Sequence, residues 1–252
     1  MAPSSPPIAA DVLAWLRHRG SRRNVEGMAR FAIHSEKAFG VSMATMKPLA
    51  SRLRPNHDLA LQLWESGWHE ARMLATLIDD PARVTVTQMN AWARDFDNWA
   101  VCDTACFHLF DRTPLVWKVL ARWAASPREF VKRAAFALVA SLALHDRDTS
   151  DDAFVALLPT IERAAADDRN FVKKGVNWAL RSVGERSPFT HTAALTLARR
   201  LASSAAPAPR WVGQDALRDL KRPLVLARID RRDQAKKARA ARTASKRPKQ
   251  RR

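Results

Sequence analysis

Two stretches of this chain repeat each other. FVKRAAFALVASL begins at Phe130 and FVKKGVNWALRSV at Phe171, an offset of 41 residues. Both open on Phe-Val-Lys and a second cation, and each reaches a leucine nine or ten residues in, Leu138 and Leu180. The offset lies in the range of HEAT-like repeats, each a pair of helices. HEARMLATLIDD at 69–80 is a weaker echo. Any two amphipathic helices share some pattern, but a matched Phe-Val-Lys-cation start at this spacing favours true repeats. Such pairs stack into a curved solenoid whose concave side is an extended binding surface.

The rest of the chain agrees with an all-α fold. Glycine is scarce at 7 residues, while Ala, Leu, Arg and Glu recur, and these lose little freedom in a helix. No Asn-Gly hairpin signal lies between alternating apolar runs. Short amphipathic segments fall at 11–19, 22–34, 56–68, 69–79, 87–94, 97–110, 114–125, 127–145, 151–167, 170–184 and 190–202. Ser126-Pro127-Arg128-Glu129 offers an N-cap, a proline for the first turn and a capping-box glutamate. Thr113-Pro114 and Ser150-Asp151-Asp152 read the same way, whereas Pro48 predicts a helix that begins late or bends. Residues 1–10 are rich in Pro and Ser and are expected to be disordered. Residues 11–222 read as a single domain, and 223–252 as a basic tail that is disordered, or helical only on DNA.

The net charge is +18, of which residues 228–252 supply +10, leaving +8 on residues 1–227. A folded part this basic points to a polyanion partner, nucleic acid first; the alternative is charge kept for solubility. The tail has the same two readings, non-specific phosphate contact or solubility. No run of about 18 apolar residues is present, so no membrane span is expected, and the first residues do not read as a signal peptide. Cys102 and Cys106 sit four apart and read as reduced, buried thiols of a cytoplasmic protein. With His108 they would form a metal site only if a fourth ligand existed, and none is evident, so no metal and no cofactor are expected.

In the second repeat, Val172, Val176, Ala179 and Val183 form one stripe and Lys174, Trp178 and Arg181 another. Two cations around an indole suit a nucleic-acid backbone with something flat or cationic beside it. A tryptophan on a helix is as readily a core residue. Trp99 and Asp103 likewise share one helix face, which places a carboxylate beside an indole in a basic chain.

Five stretches in order resemble the AlkD-like DNA alkylation repair family, the HEAT-like-repeat DNA glycosylases. They are GMARFAIHSEKAFGVSMATMKPLA, LALQLWESGWHEARMLATLIDDP, QMNAWARDFDNWAVCDTACFHLF, EFVKRAAFALVASLALHD and FVKKGVNWALRSVGERS, together spanning about residues 22–202. The resemblance implies a right-handed superhelix of HEAT-like repeats, monomeric, whose basic concave face grips double-stranded DNA. It implies excision of N3- or N7-alkylated purines without a deep base pocket, whereas glycosylases more commonly flip the nucleotide out. Carried over by position, the family's active-site Trp and Asp fall on Trp99 and Asp103 and its second indole on Trp178. The arginine after the Phe-Val-Lys stretch falls on Arg133 and a DNA-contacting arginine on Arg181; Lys174 from the stripe, with Lys132 and Lys173 in the Phe-Val-Lys stretches, are further candidate DNA contacts. An aromatic position that is tyrosine in some members is Phe31 here; the chain has no tyrosine, so any task needing that hydroxyl is in question.

A cationic purine leaves as a neutral base while positive charge moves onto the sugar. On the implied mechanism Asp103 stabilises that charge or orients a water, Trp99 and Trp178 hold the lesion by their faces, and the cations set register on phosphates. An alternative for Asp103 is an ion pair, with Arg133 as the partner. The competing functions are a non-catalytic HEAT-like protein that binds nucleic acid through the same face, and a protein-binding scaffold.

Overall fold

The computed structural model describes residues 8–245. Among them there are fifteen α-helices, two 3₁₀ turns and no strand. The chain divides into two compact units, residues 1–138 and 139–252.

The first unit holds α1 (Ala9–His18), α2 (Arg22–Met28), a 3₁₀ turn (Ala29–Phe31), α3 (Met43–Leu53), α4 (His57–Glu65), α5 (His69–Ile78), α6 (Val86–Arg94), α7 (Trp99–His108), a second 3₁₀ turn (Phe110–Arg112) and α8 (Val116–Ala124). The helix α9 (Glu129–His145) begins in this unit and ends in the next. Side-chain caps start several of these helices: Ser42 accepts from Thr45 N–H, Asn56 from Leu59 N–H and Thr85 from Gln88 N–H. Each such cap contributes about 1 kcal/mol. The core carries a run of aromatic rings from α4 to α8. Trp64 stacks on Trp92 at 4.0 Å between centroids, Trp92 meets Phe110, and Phe110 meets Trp123 edge-on. The indole N–H of Trp64 donates to Asp95 and that of Trp123 to Asn90, so burial strands neither donor.

The second unit adds α10 (Asp151–Val155), α11 (Leu158–Ala164), α12 (Asn170–Gly184), α13 (Pro188–Ala202), α14 (Pro207–Leu220) and α15 (Pro223–Ser245). The stripe expected on α12 is its core face: Val172, Val176, Ala179 and Val183 are fully buried. α13 and α14 lie so close that a Cβ on Gly213 would sit 2.2 Å from the Ala202 nitrogen, so only glycine fits there. The buried Asn177 amide donates to the Val212 carbonyl and ties α12 to α14.

The two compact units divide at Leu138, within the range 11–222 that reads as one domain. Other expectations are corrected. Residues 223–245 form a helix rather than a disordered tail, anchored where Val225 and Ile229 are buried, with Arg228 paired to Glu185; 246–252 lie outside the described residues. At the other end, Ala9 and Ala10 already belong to α1, and residues 1–7 lie outside the description. Pro48 does not delay α3, which starts at Met43 on the Ser42 cap and contains the proline. The segment at 151–167 is two short helices, and Pro207–Leu220 is a helix the periodicity did not pick out. Ser126 does cap, through the Arg128 N–H, but α9 begins at Glu129 and not at Pro127.

Candidate active site and nucleic-acid contacts

Asn98 fixes the start of α7. Its side-chain carbonyl accepts the N–H groups of Ala100 and Val101, and its amide lies 3.3 Å from Nδ1 of the buried His69. Burial above all lowers the pKa of His69, although Glu70 and Asp97 work the other way. The neutral ring can therefore accept from the amide. The cap sets Trp99 at the first helical position and Asp103 one turn further on.

Trp99 is half-buried, and its indole N–H donates to the Phe31 carbonyl at 2.8 Å. The Phe31 ring itself is 67% exposed, on the 3₁₀ turn that Ala32 closes in the left-handed region at φ 53°. The loop that follows is fastened by Glu70, a buried carboxylate that accepts the N–H groups of Phe39, Gly40 and Val41. Sequence inspection missed Glu70. It sits in an apolar run, HEARMLATL, where an acid without a visible partner is the one hint of a buried acceptor.

Asp103 faces α9. Arg133 Nε donates to one carboxylate oxygen at 2.9 Å and a terminal nitrogen donates to the other at 2.7 Å, a bidentate pair. The Asp103 side chain is 16% exposed and that of Arg133 8%. Burial pushes the Asp103 carboxyl above the ordinary aspartate range, against the pull of Arg133 and a lesser one from Cys102. Burial also weighs against the charge of Arg133, but the hydrogen bonds and charge of Asp103 outweigh it and its pKa rises. Arg133 was expected to contact DNA. Its guanidinium is buried against Asp103, with little of it facing solvent. Lys132, its neighbour, is half-buried.

Cys102 and Cys106 are free, buried thiols that reach the Phe130 and Ala134 carbonyls at 3.5 and 3.6 Å and link α7 to α9. Burial, with Cys102, Asp103 and Asp111 nearby, pushes the Cys106 thiol well up, so it is no nucleophile at neutral pH.

The remaining expected residues lie on α12 in the second unit. Lys174 is exposed and Trp178 half-buried. Arg181 lies 3.5 Å from Asp219, with its Nε buried and without a hydrogen-bond partner. Lys173 does not extend freely; its Nζ stands 5.2 Å over the Trp211 ring.

Residues 12–220 match the family model described as DNA alkylation repair enzyme. This chain belongs to the DNA alkylation repair enzyme family. A search of curated proteins returned no significant match. Among solved structures, the chain resembles one described as a new family of proteins related to the HEAT-like repeat DNA glycosylases with affinity for branched DNA structures. The TM-score is 0.72 at 20% identity, over 84% of this chain and 95% of the other. The fold is therefore HEAT-like, as the 41-residue offset implied. The matched range ends at Leu220, so α15 lies beyond it. No helix among the described residues is long and apolar enough to cross a membrane.

Proposed function

We propose that this protein is a DNA glycosylase that hydrolyses the N-glycosidic bond of cationic N3- or N7-alkylated purines in duplex DNA. The observation that carries the reading is Asp103. It is a largely buried carboxylate one turn after Trp99 on α7, held in one orientation by a bidentate guanidinium, in a chain of the DNA alkylation repair family. A lesion of this kind already carries positive charge and departs as a neutral base. As the bond breaks, the sugar becomes an oxocarbenium ion. A fixed, poorly hydrated carboxylate stabilises that charge without reorganising, and can orient water toward the anomeric carbon. Arg133 keeps Asp103 in place and opposes its protonation, at the cost of weakening its field.

Trp99 holds the lesion by its face, through a cation–π attraction of about 0.5–2 kcal/mol, and Trp178 offers an indole face of the same kind on its own unit. Lys174, Arg181 and Lys132 contact phosphates, with Phe31 against the DNA from its exposed turn. The scaffold is a right-handed superhelix with a basic concave face, acting as a cytoplasmic, nucleoid-associated monomer. Neutral lesions are poor substrates, because no general acid stands ready to protonate the departing base. The test is incubation with methylated duplex DNA and detection of free 3-methyladenine and 7-methylguanine. Release of uracil or oxidised guanine at the same rate would refute the electrostatic mechanism.

One observation favours a second reading, a non-catalytic binder of structured DNA. Both Asp103 oxygens are engaged by Arg133, which leaves less of the carboxylate for a sugar cation. The structurally similar family is described as having affinity for branched DNA. No base release, together with tighter binding to a four-way junction than to linear duplex, would select this reading.

A further inference from the structure

The first unit has a second basic feature that the candidate active site does not use. An open cleft of about 530 Å³ runs along the C-terminal ends of α6 and α8 and the first turn of α9. Arg94, Arg122 and Arg128 line it, over a floor that includes Ala93, Trp123 and Val131, and its lining contains no carboxylate. All three arginines are exposed.

Neutral groups hold two of these guanidiniums. Elsewhere in the first unit, Arg22, Arg72, Arg83 and Arg133 each lie within ion-pair distance of an acid. In the cleft, Arg122 donates to the amide oxygen of Asn90, which also takes the Trp123 indole N–H at 2.9 Å. Arg128 donates to the backbone carbonyl of Arg94 at 3.2 Å. Both acceptors are neutral, so they fix direction while leaving the positive charge uncompensated. Asp95, the acid next to Arg94, is taken up by the Trp64 indole and Arg72. Three exposed cations, two of them oriented and none in an ion pair, attract an anion, and guanidinium forks match phosphate oxygens. The cleft is too open to enclose one small ion, and its cations come from three separate segments, which suits successive charges along a chain.

We infer that this cleft binds backbone phosphates of nucleic acid, as a contact additional to the Trp99–Asp103 site. The inference rests on the nucleic-acid reading above and extends it to Arg94, Arg122 and Arg128. The test uses the full-length protein, a labelled DNA duplex and a salt titration. An Arg94→Gln/Arg128→Gln double variant should melt at the same temperature as the parent. Its plot of log Kd against log salt should lose about two units of slope, near one per phosphate contact. Arg83→Gln, which removes an arginine paired with Asp58, is the control and should leave the slope unchanged.

Release of methylated base at saturating DNA should be unaffected in the double variant, since no group of the active site is touched. A full slope in the double variant, or an equal loss in the control, overturns the cleft alone. Absence of salt-dependent duplex binding by the parent overturns the nucleic-acid reading with it. Free phosphate is the other source of the same chemistry. If millimolar inorganic phosphate displaces duplex from the parent, beyond its ionic-strength effect, and fails to do so in the double variant, the cleft is a free-phosphate site and the backbone assignment falls.

Discussion

Arg133 and Lys174 occupy the same place in two repeats, three residues after Phe130 and Phe171, and meet opposite surroundings. From Arg133 to Ala143 every residue of α9 is buried, and the guanidinium closes on Asp103. α12 buries one face only and leaves Lys174 in solvent. A repeat thus conserves the direction of a side chain, while the neighbouring helix decides its use. Where α7 offers an acid, the cation becomes a clamp; where no acid faces it, it remains a charge for a partner.

The largest effect should come from breaking the clamp. Arg133→Ala leaves Asp103 buried without its counter-ion, which costs about 3–5 kcal/mol. Lys174→Ala should stay within about 0.5 kcal/mol of the parent and lose about one unit of salt slope in DNA binding. Denaturant melts of the two variants measure the contrast directly. The cost in Arg133→Ala should shrink on acidification, because the unpaired carboxyl has a higher pKa still, and protonation removes its charge. Similar melts for both variants would mean that burial at α9 does not matter as argued.

Asp103→Asn keeps the shape and one acceptor for Arg133 but removes the charge. Base release should fall by about a hundredfold or more, with lesion-DNA binding retained. Parallel loss of binding and fold would make Asp103 an ion-pair partner and nothing else. Short of mutation, pH probes the same group. Burial holds the Asp103 pKa above the ordinary range near 3.9. Excision that depends on the carboxylate is complete above that pKa and is lost as pH falls through it. The acid limb of kcat/KM should therefore lie above the usual aspartate value. In Arg133→Gln it should move higher, since the pull toward ionisation is gone.

Most helices were legible because their signals are local: side-chain acceptors such as Thr113 and Ser126, apolar spacing on α5 and α12, and the paired Phe-Val-Lys starts. α14 escaped because Pro207 and Pro209 look like loop residues, although proline is tolerated in a first helical turn. α15 escaped because its charge argues for disorder, and only Val225 and Ile229, four apart, betray a packed edge. The pairing of Trp99 with Asp103 on one helix face followed from spacing. The closure of Arg133 on Asp103 was readable only as one alternative for that acid, and the Glu70 anchor and the three-arginine cleft were not readable at all, since each joins residues about thirty apart through the stacking of helix pairs.

The smallest effect expected is at the end of α15, where the two kinds of cation meet in one helix. Arg228 pairs with Glu185 and Arg232 donates to the Glu185 carbonyl, beside the buried Ile229. These are clamps. Residues 236–252 carry nine further Lys and Arg and no acid, and of these Lys237 pairs with Asp233. Deleting 236–252 should leave the melting temperature unchanged and weaken duplex binding several-fold at about 0.15 M salt, with a shallower salt slope. Deleting from Arg228 onward also removes Ile229, and should cost a further 1.5–3 kcal/mol or so of stability from lost apolar burial. If the shorter deletion leaves affinity unchanged, the end of the chain serves solubility, and the uncompensated charge that binds DNA lies in the helical units alone.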